Sequence, residues 1–523
     1  MNAPLRIRRS VRELETEYKR GNTKPLELVL IAWKGIKALP PDNPNSFFMI
    51  GGFHGEPFRG AGWGNNAYWG GYCNHGNVLF PTWHRAYLLR LEQALQSIPG
   101  CGEVMQPYWD ETSEESKTDG IPWSITQEQI YFEGRLQDNP LTSFTFPKNI
   151  VDNINGDNPN YSKSAGYETV RYPLSGLVGT FDDKAATQSH NELYSDPEKR
   201  TSLLNTNVKD WLTSHIIVKD QIIPTNTAKK FKDCLDAPNF TVFSNTTSAQ
   251  EYNSLLSENG AKVTPLESPH NDIHLAVGGC EVAGFNRSPI YNANGDMGEN
   301  DTAGLDPIFF FHHCNVDRIF WLWQQRHQAT KKLEIIEGYP GTNSVDSQGP
   351  TPGTAPNSWL NEKSPLDPFK LTGKDGIERA YISNDVIDIE SQLGYTYSNG
   401  SLVEYSSAKT LAALPNSPLI RISRINKAPI RGSFTISAFA NVDGEKVCLG
   451  TEAVLSRWSV IGCANCQTHL EVKAFFPTHG LLASNDGNKN AISIEIKGRQ
   501  GGDFSNSTIL ATAKQIDFHV EVF

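Results

Sequence analysis

The stretch Glu267-Ser-Pro-His270-Asn-Asp-Ile-His274 sets two imidazoles four residues apart. On a helix that spacing puts both rings on one face, a turn from each other. Neutral imidazole is the commonest side-chain ligand for zinc, copper and iron, so the pair reads as a two-toothed metal clamp on a helical element. Further along, Asp306-Pro-Ile-Phe-Phe-Phe-His312-His313-Cys-Asn-Val-Asp317-Arg offers another imidazole from a second helix. Pro307 suits the first turn of that helix, and Phe310, Ile319, Trp321 and Leu322 give it apolar bulk. Neighbouring helical positions diverge, so only one of His312 and His313 is expected to face the clamp.

Upstream lies a second set: His54 in Phe48-Met-Ile-Gly-Gly-Phe-His54-Gly, His75 in Tyr72-Cys-Asn-His75, and His84 in Phe80-Pro-Thr-Trp-His84-Arg. A lone His-x-x-x-His pair also occurs as a solvated pair, and a single histidine as a structural residue. Two three-histidine sets without a cysteine quartet or a nearby carboxylate cluster are harder to reach by accident. All-nitrogen ligation points to copper or zinc.

The surroundings divide the chain in two. Residues 11–39 are rich in helix formers, with Leu26, Val29, Leu30 and Trp33 at helical spacing, and predict one amphipathic helix ending at Pro40-Pro41. Residues 47–80 are dense in Gly, Asn and aromatics, which predicts irregular backbone. From Trp83 the stripe Tyr87, Leu88, Leu91 and Leu95 predicts a core-facing helix, stopped by Pro99-Gly100. Residues 111–265 are polar and loop-rich, with a helical patch over 196–214, and no chemistry is assigned to them. Beyond about residue 400 the period becomes two: Phe434/Ile436/Ala438, Leu470/Val472/Ala474, Ile492/Ile494/Ile496 and Phe518/Val520/Val522 alternate with polar residues, as half-buried antiparallel strands do. The expectation is a mainly α domain, residues 1–400, whose helical bundle holds the metal site, then a β-sandwich-like domain, residues 401–523.

Composition excludes other classes. The 523 residues, 38% hydrophobic and 20% charged, suit a soluble globular protein of about two domains. A formal charge of −11 argues against a nucleic-acid binder working through a basic face. No run approaches the roughly 18 apolar residues of a membrane span. Arg6, Arg8, Arg9 and Arg12 stand among acids near the start with no apolar signal stretch, so the chain is expected in the cytoplasm, where its eight cysteines stay mostly reduced and its Asn-x-Ser/Thr sequons arise by chance.

The segments Ser46-Phe-Phe-Met-Ile-Gly-Gly-Phe-His54-Gly, Cys73-Asn-His75 through Trp83-His84-Arg, Glu267 through His274, and Asp306-Pro-Ile-Phe through Asp317-Arg together resemble tyrosinases, the type-3 copper oxidases of phenols. The likeness runs from about residue 46 to 330 and looks fungal in type, while the absent secretion signal also suits a bacterial member. It implies two copper ions, the first on His54, His75 and His84, the second on His270, His274 and His313, with dioxygen as co-substrate and phenols as substrates. Alignment of Asp306-Pro-x-Phe and Asp317 with the related arthropod oxygen carriers selects His313 as ligand and leaves His312 in the outer shell. Asp317, one turn later, is expected to orient a ligand ring through its other nitrogen; a helix-surface salt bridge is the alternative.

The resemblance also implies a thioether from Cys73 to the ligand His75, where a buried free thiol is the plain alternative. Phenols ionise near pH 10, so attack on the ring needs a base. Glu267 and Asn271 match the family's pair that holds an activating water, which favours hydroxylation of monophenols as well as oxidation of o-diphenols to o-quinones; Glu267 could instead be a charge at a helix N-terminus. A catechol oxidase lacking the first step is the alternative, and a haemocyanin-like oxygen carrier a more distant one. Gly450-Thr-Glu-Ala-Val-Leu-Ser-Arg-Trp458 and Cys463-Ala-Asn-Cys466 look like the β-rich domain that covers the copper site in fungal tyrosinases, with Leu455 and Phe475 as candidate plugs. Cys463 and Cys466 form a soft site suited to copper delivery, a local disulfide or half a zinc site. Tyr395-Thr-Tyr397 resembles the tyrosine motif closing the family's catalytic core. No nucleic-acid or membrane partner is expected, and a homo-oligomer stays open.

Overall fold

The computed structural model describes residues 4–55, 71–150, 162–256, 261–285, 290–344, 354–355, 357–373, 376–407, 418–430, 432–442, 444–456, 471–481, 492–499, 516 and 518–522. Two helices form its centre, Glu267–Gly278 and Ile308–Arg326. The first is buried at every position and the second from Ile308 to Gln324. A helix buried all round belongs in the middle of a core, not on its surface. Around them pack Lys24–Ala38 and Phe80–Gln96, the latter starting with Pro81 in its first turn.

The amphipathic run over 11–39 is two helices rather than one, Val11–Lys19 and Lys24–Ala38. Gly21 lies between them at φ +93°, a left-handed conformation that breaks the ladder and that glycine adopts without a Cβ clash. The second helix drives Trp33 into the core, edge-on to Phe47 at 5.1 Å, with its indole N–H donating to Gln106 Oε1 at 3.2 Å. Truncating a tryptophan so placed costs about 3–5 kcal/mol. In the segment expected to be irregular, Ser46 caps a short helix, Phe47–Gly52, by accepting the Met49 N–H.

The chain's start returns to the far end of this helical body. Strand Arg6–Arg8 pairs in parallel with Tyr395–Tyr397, which buries Arg8 against Glu92, at 2.8 Å, and Asp317, at 3.0 Å. Short hairpins decorate the surface, and no helix among the described residues is long and apolar enough to cross a membrane.

The C-terminal region is rich in sheet. Phe434–Val442 lies between Glu445–Val454 and Ile492–Gly498, and Leu419–Asn426 lies between Glu471–Pro477 and His519–Val522, all antiparallel. The alternation read from the sequence sends Ile436, Ala438, Val472, Ala474, Ile494 and Ile496 into one hydrophobic cluster with Ile420 and Ile422. Leu419–Asn426 and Glu445–Val454, which no alternation had marked, complete the two sheets. Ala453 and Leu455 leave that cluster and join the core of the helical body. Between the two parts, Lys230 pairs with Asp272 at 2.9 Å and with Glu452 at 3.0 Å, while the Ser268 hydroxyl donates to Glu452 at 2.6 Å. Phe475 lines a cavity of about 20 Å³ beside Thr246, Pro265 and Ser268.

Candidate metal centre

The clamp forms as its spacing predicts: His270 and His274 stack along Glu267–Gly278 with ring centroids 4.5 Å apart. Ile308–Arg326 brings up both of its histidines. The ligating atoms of His270, His274, His312 and His313 all lie within 4.8 Å of one another. One of His312 and His313 was expected at the clamp, and both rings lie close to it. Neighbouring positions do diverge along a helix, but the rings sit at the end of a side chain, and the two buried helices bring His312 to 5.3 Å and His313 to 4.8 Å from the His270 ring.

The upstream set gathers opposite. His54 follows the short helix Phe47–Gly52, His75 sits in irregular backbone and His84 stands in the first turns of Phe80–Gln96, with centroid separations of 5.2, 5.2 and 5.8 Å. The Cys73 thiol lies within 4.8 Å of a ring nitrogen of both His54 and His75. The two groups touch: His84 stacks on His313 at 4.4 Å, and His75 lies 5.5 Å from His270. Phe309 covers His313 at 4.0 Å and His54 at 4.8 Å, and Phe80 covers His84 and His270. The result is one dry, aromatic-walled chamber.

Hydrogen bonds fix the rings. Nδ1–H of His54 donates to the Asn300 carbonyl at 3.0 Å, that of His84 to Phe80 at 2.8 Å and that of His274 to Met297 at 2.6 Å. A carbonyl can only accept, so each of these rings carries its proton on Nδ1 and keeps the Nε2 lone pair for something else. His270 donates in the same way to Asn271 Oδ1 at 2.9 Å, and His312 to Glu111 Oε1 at 2.6 Å. Nε2 of His84, His274 and His312 is buried with no hydrogen-bond partner among the described residues. Nε2 of His270 lies 3.3 Å from Nε2 of His313. Two ligands of one tetrahedral ion with bonds of about 2.0 Å stand ~3.3 Å apart.

Burial, and then the crowding of imidazole on imidazole, pushes the ring pKa values down: well below the ordinary range at His84, His270 and His313, and to about 3 at His274 and at His312, where burial acts. The rings are neutral, the form that binds a metal. Buried lone pairs without protein donors are costly, so this donor set fits nitrogen-binding metal ions.

Asp317 does not orient a ligand ring, contrary to the expectation from its motif, and it is no surface ion pair either. Its carboxylate is buried and accepts from Arg85 at 2.5 Å, Arg8 at 3.0 Å, Tyr395 at 2.8 Å and Tyr397 at 2.5 Å. Four residues after His313 on the same helix, the side chain ties Ile308–Arg326 to Phe80–Gln96 through Arg85, the neighbour of His84. Burial would raise this carboxyl, but Arg85 and Arg8 hold it below its ordinary value. The tyrosine motif thus acts as part of a buried ionic knot.

Glu267 opens its helix, and Oε1 accepts from Gly76 N–H at 2.8 Å while Oε2 accepts from Thr246 N–H at 2.8 Å and its hydroxyl at 2.9 Å. It joins the helix of the clamp to the turn just after His75. Burial raises its pKa against the pull of those donors. Cys314 is core, its thiol donating to the Gln106 carbonyl at 3.2 Å. Cys463 and Cys466 lie outside the described residues.

Sequence reasoning missed Glu111, the partner of His312 and of Asn315 Nδ2, at 3.0 Å. It stands in the stretch to which no chemistry was assigned, and its one signal is its place in the acidic pair Asp110-Glu111 that follows the aromatic run Tyr108-Trp109. The carbonyls of Met297 and Asn300 were invisible, since any residue type supplies one.

Two facing groups of buried imidazoles among aromatic side chains define a dinuclear metalloprotein with nitrogen ligation. Known proteins agree. The family model for the common central domain of tyrosinase matches residues 44–326. Tyrosinase HcTyr2 of Hahella sp. is 51% identical over 509 residues, covering 92% of this chain and 90% of that protein. The tyrosinase of Aspergillus oryzae is 43% identical over 537 residues, 97% and 96% of the two chains. A solved structure of the tyrosinase from Burkholderia thailandensis at low pH superposes with a TM-score of 0.84 at 48% identity, covering 99% of this chain and all of that one. The chain belongs to the tyrosinase family, whose centre uses two copper ions.

Proposed function

We propose that the chain is a tyrosinase, ortho-hydroxylating monophenols and oxidising o-diphenols to o-quinones with dioxygen. The observation that carries this is the contact of the two histidine groups, His84 stacked on His313 at 4.4 Å, inside one chamber. In this reading His54, His75 and His84 hold the first copper and His270, His274 and His313 the second, with His312 behind them on Glu111. When bound, the copper pair supplies the electron exchange between phenol and dioxygen. The protein's share is to keep the rings neutral, exclude water and aim Nε2 of His84 and His274 into the chamber.

We assign a thioether to Cys73 and His75, supported by the thiol's place within 4.8 Å of a nitrogen of that ring. Glu267 and Asn271 are assigned to orient the water that accepts the phenol's proton. Glu267 already accepts three hydrogen bonds from Gly76 and Thr246, and that structural engagement favours a second reading, catechol oxidase without the hydroxylation step. The division at residue 400, a sandwich packing of the two C-terminal sheets and their service as a lid belong to the same proposal, supported by the shared cluster between the sheets and by Leu455 reaching the helical core.

Copper analysis with oxygen uptake tests it. Two coppers per chain with uptake on both tyrosine and a catechol is the expected result. Uptake on the catechol alone selects the second reading, and zinc or a single ion overturns both.

A further inference from the structure

Arg499 follows directly on the C-terminal strand Ile492–Gly498, yet its side chain is completely buried, and not among the sheets. The guanidinium reaches into the helical body. There Nη2 donates to the carbonyls of Gly278 and Gly295, both at 2.8 Å, and Nη1 pairs with Glu299. The socket is shaped for it: a Cβ on Gly298 would stand 2.6 Å from the guanidinium carbon, so any larger residue there would displace the arginine.

The segment it grips has a particular job. Residues 295–300 supply the Met297 carbonyl that holds His274 and the Asn300 carbonyl that holds His54, one ring from each histidine group. From the other side Asp296 accepts from the Tyr167 hydroxyl at 2.6 Å and Val170 N–H at 2.8 Å. The Gly295 N–H also donates to Gly278 at the end of the clamp helix, at 2.7 Å. Arg499 is thus bonded at Gly295, ahead of the two carbonyls that fix ring tautomer and direction, and at Glu299, between them.

Resting on the two-copper reading, we infer that Arg499 is a positioning residue of the metal centre: through it the C-terminal sheets brace residues 295–300, and with them His274 and His54. The C-terminal region is then part of the metal site's outer support. By reciprocity, metal binding strengthens the docking of those sheets.

The test is metal binding by the full chain, read without turnover. Removing Arg499 alone would strand the buried Glu299 charge, so the working variant is Arg499→Met with Glu299→Gln. Copper affinity by chelator competition is expected to fall about 10–100-fold, the usual cost of losing an outer-shell partner. The absorption bands of the cobalt(II)-substituted protein are expected to shift, and Arg499→Lys to recover part of both losses. Lys473→Met, which removes a different contact of the sheets with the helical body, the ion pair with Glu251 at 3.6 Å, is expected to leave affinity and bands unchanged. Should the double variant fold poorly, Gly298→Ala dislodges the guanidinium with both charges kept and is expected to weaken copper in the same way. Wild-type affinity and bands in the variants of Arg499 and Gly298 overturn the inference, as does an equal loss in Lys473→Met, which would reduce Arg499 to one docking contact among others. A wild-type chain that holds no copper pair overturns the two-copper reading first and this inference with it.

Discussion

The two histidine groups reach one chamber by different means. His270, His274, His312 and His313 all stand on two helices buried almost end to end, so helical rise and the close approach of two rods set most of their geometry. Among His54, His75 and His84 only the last has a long helix under it; His54 follows a six-residue helix and has its ring held by the carbonyl of Asn300, far away in sequence. A helix confines its ligands by spacing, whereas a loop ligand depends on acceptors brought by other segments. Damage to the scaffold should therefore register differently in the two groups.

The strongest break is the loss of a ligand. His274→Ala is expected to leave about one copper per chain and no measurable oxygen uptake on a catechol, by metal analysis and an oxygen electrode, because a site left with too few nitrogens does not hold its ion. Retention of both ions would remove His274 from the ligand set. Next is the knot that joins the groups. Asp317→Asn leaves Arg85 without a carboxylate partner, while Arg8 keeps Glu92, and should cost about 3–5 kcal/mol in urea unfolding. Because those arginines depress the native carboxyl, the unfolded chain takes up the proton first on acidification. Asp317 thus contributes stability above the ordinary carboxyl pKa that is lost as pH falls through the native one, and the variant's stability should change less with pH in that acid window.

A subtler probe addresses one group alone. Glu111→Ala removes the acceptor that holds His312, and copper competition should show about a 10-fold loss at the second site with the first unchanged; equal losses would mean that the groups do not respond separately. The smallest effect is expected from Cys73→Ala, a modest weakening of the first site. In the parent protein, peptide mass spectrometry should find Cys73 and His75 joined and lighter by two hydrogens, while a Cys73 that alkylates as a free thiol would end the thioether assignment.

Much of this was legible in the residues. The His270/His274 clamp follows from a spacing of four, and the inward faces of the C-terminal strands follow from alternation, because both depend on local periodicity. What failed was tertiary in origin. Asp317 carries the right spacing for a ring-orienting partner, but the rotation of its helix against Phe80–Gln96 gives it to Arg85 instead. Glu111 meets His312 across 201 positions of sequence, a distance over which no pattern extends.

By itself, then, the sequence determined which side chains can bind metal, which helices carry them and where helical texture gives way to sheet, since those depend on residue chemistry and on repeats of a few residues. Only the tertiary structure decided that both His312 and His313 face the clamp, that the two groups share one chamber, and that an arginine from the C-terminal region supports the carbonyls behind His54 and His274. Those outcomes depend on how buried helices rotate and approach, and packing settles that only when the whole core closes at once.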